Sequence, residues 1–505
     1  MKYILNSNEI YHLDSACNTT GHISKYNLME NAGRAIAKFI VEEIKDPFNK
    51  NFVTIVGPGN NGNDGIICNY YLQSYGCQSS LLLTDNNIIN NDIYKNFKSN
   101  NDNCSLYSNK YIFKEDIWYI DAIFGIGLNR SIEDKYKIII EKLNNNNNNI
   151  ISIDMPSGLN VNTGLKFGSI INAKMTLSLG YNKVGHYFNY GLTNCGEIHT
   201  LDIGYPNELI KTKKYIQLVE LTDIKRIKLS ELNPNVNKYE KGKIYALVGS
   251  NKYPGAGILA LKAANHAGSG IIKALIPYSN RDIYESNLFE PIFSLVNHFD
   301  DILDDKQMFK QILEDCNSSN VILLGSGLNE KQNFKWLVKL LKNINTSVVL
   351  DATGFIPIVK GEIKIKDLPE KIVLTPHYHE FSRLFNINLN ILKNNPIETV
   401  ESIIDRLEGR ALILKGKTNI IVNTKGEIFL NNHGNRSLAK AGTGDVLSGI
   451  LASFISQGYS IDEAILYATF VHAECAHQYK DFKSSKELIA SDLIDMLPFS
   501  LDSVR

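Results

Sequence analysis

Near the end of the chain, Ala441-Gly442-Thr443-Gly444-Asp445-Val446-Leu447-Ser448-Gly449 sets glycines and a small hydroxyl ahead of an apolar run, Val446 to Ile455, of helical length and spacing. A helix N-terminus entered through glycines is an anion site, because its unpaired N–H groups point outward and the helix dipole favours negative charge. Asp445 in the first turn would stand beside a bound phosphate as a base for an attacking hydroxyl. Taken alone, these residues also fit a plain Gly-rich loop with an Asp near the helix cap.

A second polar loop, Gly57-Pro58-Gly59-Asn60-Asn61-Gly62-Asn63-Asp64-Gly65, follows the apolar run Phe52 to Val56. It satisfies G-x-G-x-x-G, and Asp85 ends the next strand, so a dinucleotide-binding dehydrogenase is a rival. The side chains of Asn60, Asn61, Asn63 and Asp64 distinguish it. Their oxygens suit a hard monovalent cation or a polyhydroxylated ligand. Two more apolar runs end similarly, in Asp121-Ala122-Ile123-Phe124-Gly125-Ile126-Gly127-Leu128-Asn129-Arg130 and in Asp154-Met155-Pro156-Ser157-Gly158-Leu159. Ligands of parallel α/β sheets bind outside the carboxyl ends of the strands, so three such ends form a constellation.

The elements that must position these residues read as α/β. Ser24 caps an amphipathic helix through Ile44, and Phe52–Val56, a helix over Ile66–Tyr75 and a strand over Ser80–Thr84 make a βαβ unit. Strands over Trp118–Ile120, Ile150–Ile153 and Ile198–Ile203 complete the first half. The Asn-rich segments Asn86–Asn103 and Asn144–Asn149 read as solvated loops. The second half opens with strand Lys243–Val248 and helix Ile258–Ala267. Strands follow over Ile271–Ile276, Asn320–Leu324, Ser347–Leu350, Lys371–Leu374 and Ala411–Leu414, predicting a parallel doubly wound sheet of about eight strands. Its loops carry Gly325-Ser326-Gly327-Leu328, Asp351-Ala352-Thr353-Gly354, Thr375-Pro376-His377-Tyr378-His379-Glu380 and Lys415-Gly416-Lys417-Thr418-Asn419. Ala411 and the strand character before Lys415 argue against a P-loop. His377 is expected to hydrogen-bond a ligand, with metal ligation beside His379 and Glu380 as the weaker reading. Lys415 is expected to neutralise phosphate.

The chain of 505 residues is too long for one core. With 44% hydrophobic and 21% charged residues it reads as a globular protein. Lys+Arg 53 against Asp+Glu 53 provides no field for nucleic acid or an anionic membrane. No signal peptide or membrane-length apolar run is seen. The seven cysteines lack disulfide-framework or zinc spacing, so a cytoplasmic enzyme is expected. The domain boundary is expected between Asp223 and Lys238, giving domains 1–222 and 223–505.

Taken in order, these motifs resemble the bifunctional NAD(P)H-hydrate repair enzymes, an epimerase domain fused to a nucleotide-dependent dehydratase of the ribokinase-like superfamily. The first half resembles it through GPGNNGNDG, DAIFGIG and DMPSGLN, the second through Tyr253-Pro254-Gly255-Ala256, Thr375-Pro376-His377, Lys415-Gly416 and Ala441–Gly449. The resemblance implies two doubly wound domains, an N-terminal Rossmann-like epimerase sandwich and a C-terminal ribokinase-like domain. It implies that Asn60, Asn61, Gly62, Asn63, Asp64 and Gly125, Ile126, Gly127, Leu128, Asn129, Arg130 and Ser131 bind the hydrated cofactor (NADHX or NADPHX). Asn61, Asp121 and Ser157 would coordinate K⁺, and Asp154 would transfer the proton of epimerisation. In the second half Ala256, Gly327, His377 and Asp445 would surround the hydrate. Lys415, Gly416, Lys417, Thr418, Asn419 and Gly444 would bind ADP or ATP with Mg²⁺. Asp445 would act as base and the Gly442–Gly444 amides as an anion hole. The partners implied are these small molecules, with no nucleic acid and no membrane, and a homo-oligomeric assembly.

Several positions depart from the family pattern. Asn63 stands for a glycine, tolerable if that position needs φ > 0. Ser326 stands for Pro and Thr353 for a second Asp, and His379, Phe381 and Lys417-Thr418-Asn419 replace smaller residues. The alternative is a ribokinase-like small-molecule kinase fused to a ligand-binding module. A further rival is a first half that only binds ligand or partners.

Overall fold

The computed structural model describes residues 2–19, 23–97, 103–145, 149–210, 214–227, 237–238, 240–482, 484 and 487–504. Residues 98–102 and 146–148 of the Asn-rich segments and 228–236 of the expected boundary stretch lie outside the described residues. The chain divides into two compact units, Lys2–Tyr215 and Ile216–Arg505.

The N-terminal unit contains β1 (Lys2–Leu5), β2 (Asn51–Val56), β3 (Gln78–Leu83), β4 (Cys104–Leu106), β5 (Ile117–Ala122), β6 (Asn149–Ile153), β7 (Met175–Leu179), β8 (Asn182–Lys183) and β9 (Glu197–Leu201). Its main sheet runs β4-β3-β2-β5-β6-β7-β9 and is parallel throughout, while β1 pairs with β8. Successive side chains of a strand point to opposite faces. Phe52 accordingly joins a core with Ile36, Ile40 and Leu72, whereas Val53 and Ile55 join Ile139, Ile140 and Leu143. Both faces are covered by helices, as a parallel sheet requires. Ser24 Oγ accepts from Asn27 N at 3.1 Å and caps helix Lys25–Glu43.

The helix after β2 begins at Asn60, not at Ile66. The polar motif expected as a loop supplies its first turns, and Asn63 N already donates to Gly59 O at 3.2 Å. Gly62 is required there because a Cβ would sit 2.0 Å from Gly57 O. Asn63 is helical, so the question of a left-handed backbone does not arise at that position.

The C-terminal unit contains β10 (Ile216–Leu218), β11 (Lys243–Leu247), β12 (Ile271–Pro277), β13 (Ile292–Val296), β14 (Val321–Leu324), β15 (Ser347–Leu350), β16 (Ile372–Leu374), β17 (Ala411–Leu414), β18 (Asn419–Val422) and β19 (Ile428–Asn431). Within this unit the described strands run β13-β12-β11-β14-β15-β16-β17-β18-β19-β10. The expectation of a wholly parallel sheet of about eight strands is corrected at one end, where β17, β18 and β19 form an antiparallel meander. The turn between β18 and β19 is closed by Gly426, at φ 72°, whose N–H donates to Asn423 O at 3.0 Å. Asn419 thus opens a strand instead of ending a loop.

Helices Pro254–His266, Thr443–Ser456 and Ile461–Phe482 cover one face of this sheet through Ile244, Ala246, Ala260, Ala264, Ile450 and Ile465. Tyr245 and Leu247, pointing to the other face, are equally buried. No helix among the described residues is long and apolar enough to cross a membrane.

Gly449 lets helix Thr443–Ser456 touch the backbone of helix Pro254–His266, since a Cβ there would lie 2.1 Å from Ala260 O. Gly449→Ala is therefore expected to destabilise the C-terminal unit by about 1–3 kcal/mol through overpacking. Buried Trp336 reports this unit, so fluorescence-monitored denaturation in a Trp118→Phe background measures it. An unchanged midpoint would contradict this packing.

Candidate active sites

At the carboxyl ends of β2, β5 and β6 lies a cavity of about 670 Å³. Asn60, Asn61, Asp64, Gly125, Ile126, Gly127, Leu128, Asn129, Arg130 and Asp154 all line it. Gly62, Asn63 and Ser131 do not. Gly62 is packed on Gly57, Asn63 Oδ1 accepts from Asn91 Nδ2 at 2.7 Å, and Ser131 lies against Gly168.

Asp154 sits just past β6 with φ 66°, a left-handed conformation rare for a non-glycine residue. Its Oδ1 accepts from Leu179 N at 3.1 Å and from the ammonium of Lys183. The Lys183 side chain is 1% exposed and also donates to Ser178 Oγ at 3.1 Å and Leu179 O at 3.0 Å. His186 Nδ1 accepts from Lys183 N at 3.2 Å, which leaves Nε2 to donate to Asp154 O at 3.0 Å. Burial, then Lys183, push His186 down to about 3, so it is neutral. Lys183 was missed in the sequence, where its one signal is a lysine closely following the apolar strand Met175–Leu179.

Two further cavity groups escaped the sequence reading. Tyr205 Oη donates to Asp14 Oδ1 at 2.6 Å. Burial raises Asp14 above the usual carboxylate range despite that bond. Asp85, the marker of the dehydrogenase reading, is already engaged. It accepts from Asn87 N at 3.0 Å and pairs with Lys135 at 3.0 Å, and these contacts hold it below its ordinary range.

The three expected cation ligands come from adjacent loops. Asp121 is fully buried, and its Oδ1 accepts from Ser157 Oγ at 2.6 Å and Ile123 N at 3.2 Å. Its Oδ2 accepts from Ser152 Oγ at 2.9 Å and Ser157 N at 2.9 Å. Burial raises the Asp121 carboxyl, and no ammonium or guanidinium pairs with it among the described residues. Asn61 Nδ2 is buried without a partner, and Asn61 Oδ1 lies 3.0 Å from where a Cβ of Gly125 would stand. A buried carboxylate lacking a counter-charge, among oxygen donors, fits a hard monovalent cation.

In the C-terminal unit, Gly442 enters helix Thr443–Ser456 at φ 89°, where a Cβ would also meet Leu259 Cδ1 at 2.7 Å. Asp445 falls in the first turn, as expected from the sequence. Lys415 Nζ is 2.7 Å from Asp351 Oδ1 and 3.1 Å from the position a Gly444 Cβ would take. Ser448 Oγ donates to Asp351 Oδ2 at 2.7 Å. Lys415 therefore reaches the helix N-terminus, but an internal carboxylate neutralises it here.

Burial, then Asp351, raise Asp445 to about 7, opposed by the Ser326 hydroxyl and Lys415. Burial and Asp351 likewise raise Glu380 to about 7. Burial pulls Lys415 down, yet Asp351 and Glu380 outweigh it and hold the ammonium above its usual range.

His377 is a helix cap as well as a site residue. Its Nδ1 accepts from His379 N at 3.1 Å and Glu380 N at 3.2 Å, while Glu380 Oε2 accepts from His377 N at 2.8 Å. This reciprocal cap consumes Nδ1 and leaves Nε2–H as a donor on a half-exposed ring. Burial and Lys415 lower His377, favouring the neutral form. Among the described residues no group of three or more His, Cys, Asp and Glu side chains is placed to cage a metal ion.

Gly327, at φ 75°, lies against Ala256, with 3.0 Å between its would-be Cβ and the Ala256 Cβ. Thr353 Oγ1 donates to Leu328 O at 3.1 Å, tying that same loop. Of the expected nucleotide residues, Gly416 N donates to Asn419 Oδ1 at 3.0 Å and Thr418 Oγ1 to Asn432 Oδ1 at 2.9 Å. These side chains close the turn. Burial and the charge of Arg436 lower Lys417.

Both units match known protein families. Residues 244–498 match the family described as NAD(P)H-hydrate dehydratase, and residues 25–185 match the family described as YjeF-related protein N-terminus. The bifunctional NAD(P)H-hydrate repair enzyme Nnr of Dictyoglomus turgidum is 32% identical over 99% of this chain and 98% of its own. That of Thermofilum pendens is 27% identical over 95% and 92%. Among solved structures, the ADP/ATP-dependent NAD(P)H-hydrate dehydratase of Bacillus subtilis, co-crystallized with ATP/Mg²⁺, is 25% identical with a TM-score of 0.51. It covers 57% of this chain and 99% of its own. The C-terminal unit thus shares the α/β fold of that dehydratase. With both family matches in one chain and similarity along nearly its whole length, the protein belongs to the bifunctional NAD(P)H-hydrate repair enzyme family.

Proposed function

We propose that the N-terminal unit interconverts the R and S hydrates of NADH and NADPH, and that the C-terminal unit dehydrates the S form at the expense of ADP or ATP. The observation that carries the reading is the meeting of Asp445, Lys415 and the Gly444 amide at one helix N-terminus. Asp445 takes the proton of the hydrate's hydroxyl as its oxygen attacks the terminal phosphorus of the nucleotide. The Gly442–Gly444 amides and Lys415 hold the phosphoryl charge, a preorganised arrangement. Loss of the resulting phosphate ester with a neighbouring ring proton restores the reduced nicotinamide. Nε2–H of His377, beside Ala256 and Gly327, orients the hydrate. Lys417, Thr418, Asn419 and Gly416 lie where the rest of the nucleotide would bind.

Mg²⁺ is typically carried on nucleotide phosphates. It would share their charge near Asp351 and Glu380, carboxylates that outnumber the one lysine between them. ADP is the nucleotide expected of the fused architecture. In the N-terminal unit, Asn61, Asp121 and Ser157 would hold K⁺, which supplies a fixed positive charge beside the substrate. Asp154, in contact with Lys183, accepts the proton of epimerisation. No disulfide joins any of the seven cysteines, which supports a cytoplasmic location. Phe289 and Ile292, 85% and 56% exposed at edge strand β13, support self-association as a homo-oligomer.

Recovery of reduced-nicotinamide absorbance from a mixed-epimer NADPH hydrate tests this reading. Asp445→Asn is expected to lower nucleotide-dependent recovery by about 10²–10⁴-fold, and Asp154→Asn to stall it at one epimer beyond spontaneous epimerisation. Wild-type rates in either variant would contradict the assigned roles. Because Asp445 must be ionised to act as base, dehydratase kcat/KM should rise with pH through about 7. A flat profile across that range would exclude Asp445 as the titrating base. Exchanging K⁺ for tetramethylammonium should slow epimerisation while dehydration of the pure S hydrate continues. Equal epimerisation in both salts would remove the cation site.

A further inference from the structure

Three carboxylates line the N-terminal cavity, Asp14, Asp64 and Asp154, together with the Lys183 ammonium. Asp154 holds the lysine and Asp14 accepts the Tyr205 hydroxyl. Asp64 has no hydrogen-bond or ion-pair partner among the described residues. It enters from helix Asn60–Ser74 at the end of β2, whereas Asp154 enters at the end of β6. One strand, β5, separates them. Two strand spacings amount to about 10 Å along the sheet edge, and the two carboxyls reach the one cavity from these separate strand ends. Paired carboxyls acting on opposite faces of a sugar ring, with water between, stand at a comparable separation, roughly 6.5–9.5 Å.

The geometry points to Asp64 as the acid of the epimerisation, acting on the face of the hydrated ring opposite the Asp154 carboxylate. This assignment rests on the epimerase reading given above. The Asp64 carboxylic acid gives its proton to the ring hydroxyl. The C–O bond breaks with its electron pair on oxygen, water leaves, and the ring nitrogen lone pair forms a C=N bond to the same carbon. A water molecule then attacks that carbon from the other face, the C=N pair returns to nitrogen, and Asp154 takes the proton of the incoming water. Asp64 is left ionised and Asp154 protonated, the state from which the reverse epimerisation starts. Proton exchange with solvent restores the resting pair.

The electrostatics agree with that division of labour. Burial, then the charges of Asp154 and Asp14, push Asp64 well above the carboxylate range, with Lys183 opposing. Cys68, one turn along the same helix, is itself held neutral by burial. Lys25 and Arg130 also belong to the cavity wall. With Lys183 fixed on Asp154, Asp64 is left to hold a proton across the same space, the pattern that separates base from acid.

The test uses the full-length protein and the purified R hydrate of NADPH, with chromatographic separation of epimers and subtraction of spontaneous conversion. Asp64→Asn is expected to lower epimerase kcat about a hundredfold with KM within a few-fold of wild type. The wild-type rate should fall at alkaline pH as Asp64 loses its proton, and that limb should be absent from the variant. Asp64→Glu, which keeps an acid, should retain more activity than Asp64→Asn. Trp118 fluorescence confirms that the unit is folded. Wild-type kcat and pH profile in Asp64→Asn, or a loss confined to KM, would overturn the acid role and leave the epimerase reading standing. Absence of epimerase activity in the wild type would overturn both.

Discussion

The ammonium of Lys415 lies 2.7 Å from Asp351, inside a group of carboxylates that also includes Asp445 and Glu380. A buried carboxylate is costly unless a counter-charge or hydrogen bonds compensate it, and one lysine cannot neutralise three. The surplus is expressed as proton affinity, and Asp445 and Glu380 rise to about 7. A base poised near neutrality follows from this charge imbalance, as general-base catalysis at neutral pH requires. The N-terminal unit repeats the device with different parts. Lys183 is locked on Asp154, and Asp64 is left to protonate.

Both units place these charges by the same architectural means. Buried, mostly parallel strands end together, and the loops beyond them converge on one edge. In the N-terminal unit the ends of β2, β5 and β6 deliver Asn61 and Asp64, Asp121 and Asp154. In the C-terminal unit the ends of β14 to β17 deliver Gly327, Asp351, His377 and Lys415, and a helix N-terminus supplies the amides. Close packing sustains the arrangement. Gly62 lies on Gly57, and Gly449 on the Ala260 carbonyl, where no larger residue fits.

Most of this framework was legible in the residues. The Gly442–Asp445 turn, the carboxylates at strand ends and the capped helix after Ser24 are local features, and local chemistry survives folding. What escaped the reading was set by distant parts of the chain. The GPGNNGNDG segment looks like a loop because its side chains are polar, yet Gly57 and Gly62 pack closely enough for it to coil from Asn60. Strands β10, β18 and β19 are short and interleaved with Asn, Lys and Gly, so their apolar content does not stand out. Lys183 and the Asp14–Tyr205 pair become site residues only when segments far apart in sequence share a cavity. His377 was read for its ring alone. That its Nδ1 is consumed in capping a helix depends on Glu380 reaching back to it.

The central claim is that Asp445 and the helix N-terminus activate the hydrate's hydroxyl by phosphorylation before elimination. Product accounting tests it most directly: the S hydrate of NADPH is incubated with ADP and Mg²⁺, and NADPH, AMP and inorganic phosphate are quantified together. The account predicts one AMP and one phosphate for each NADPH formed. NADPH accumulating while ADP stays intact would contradict it.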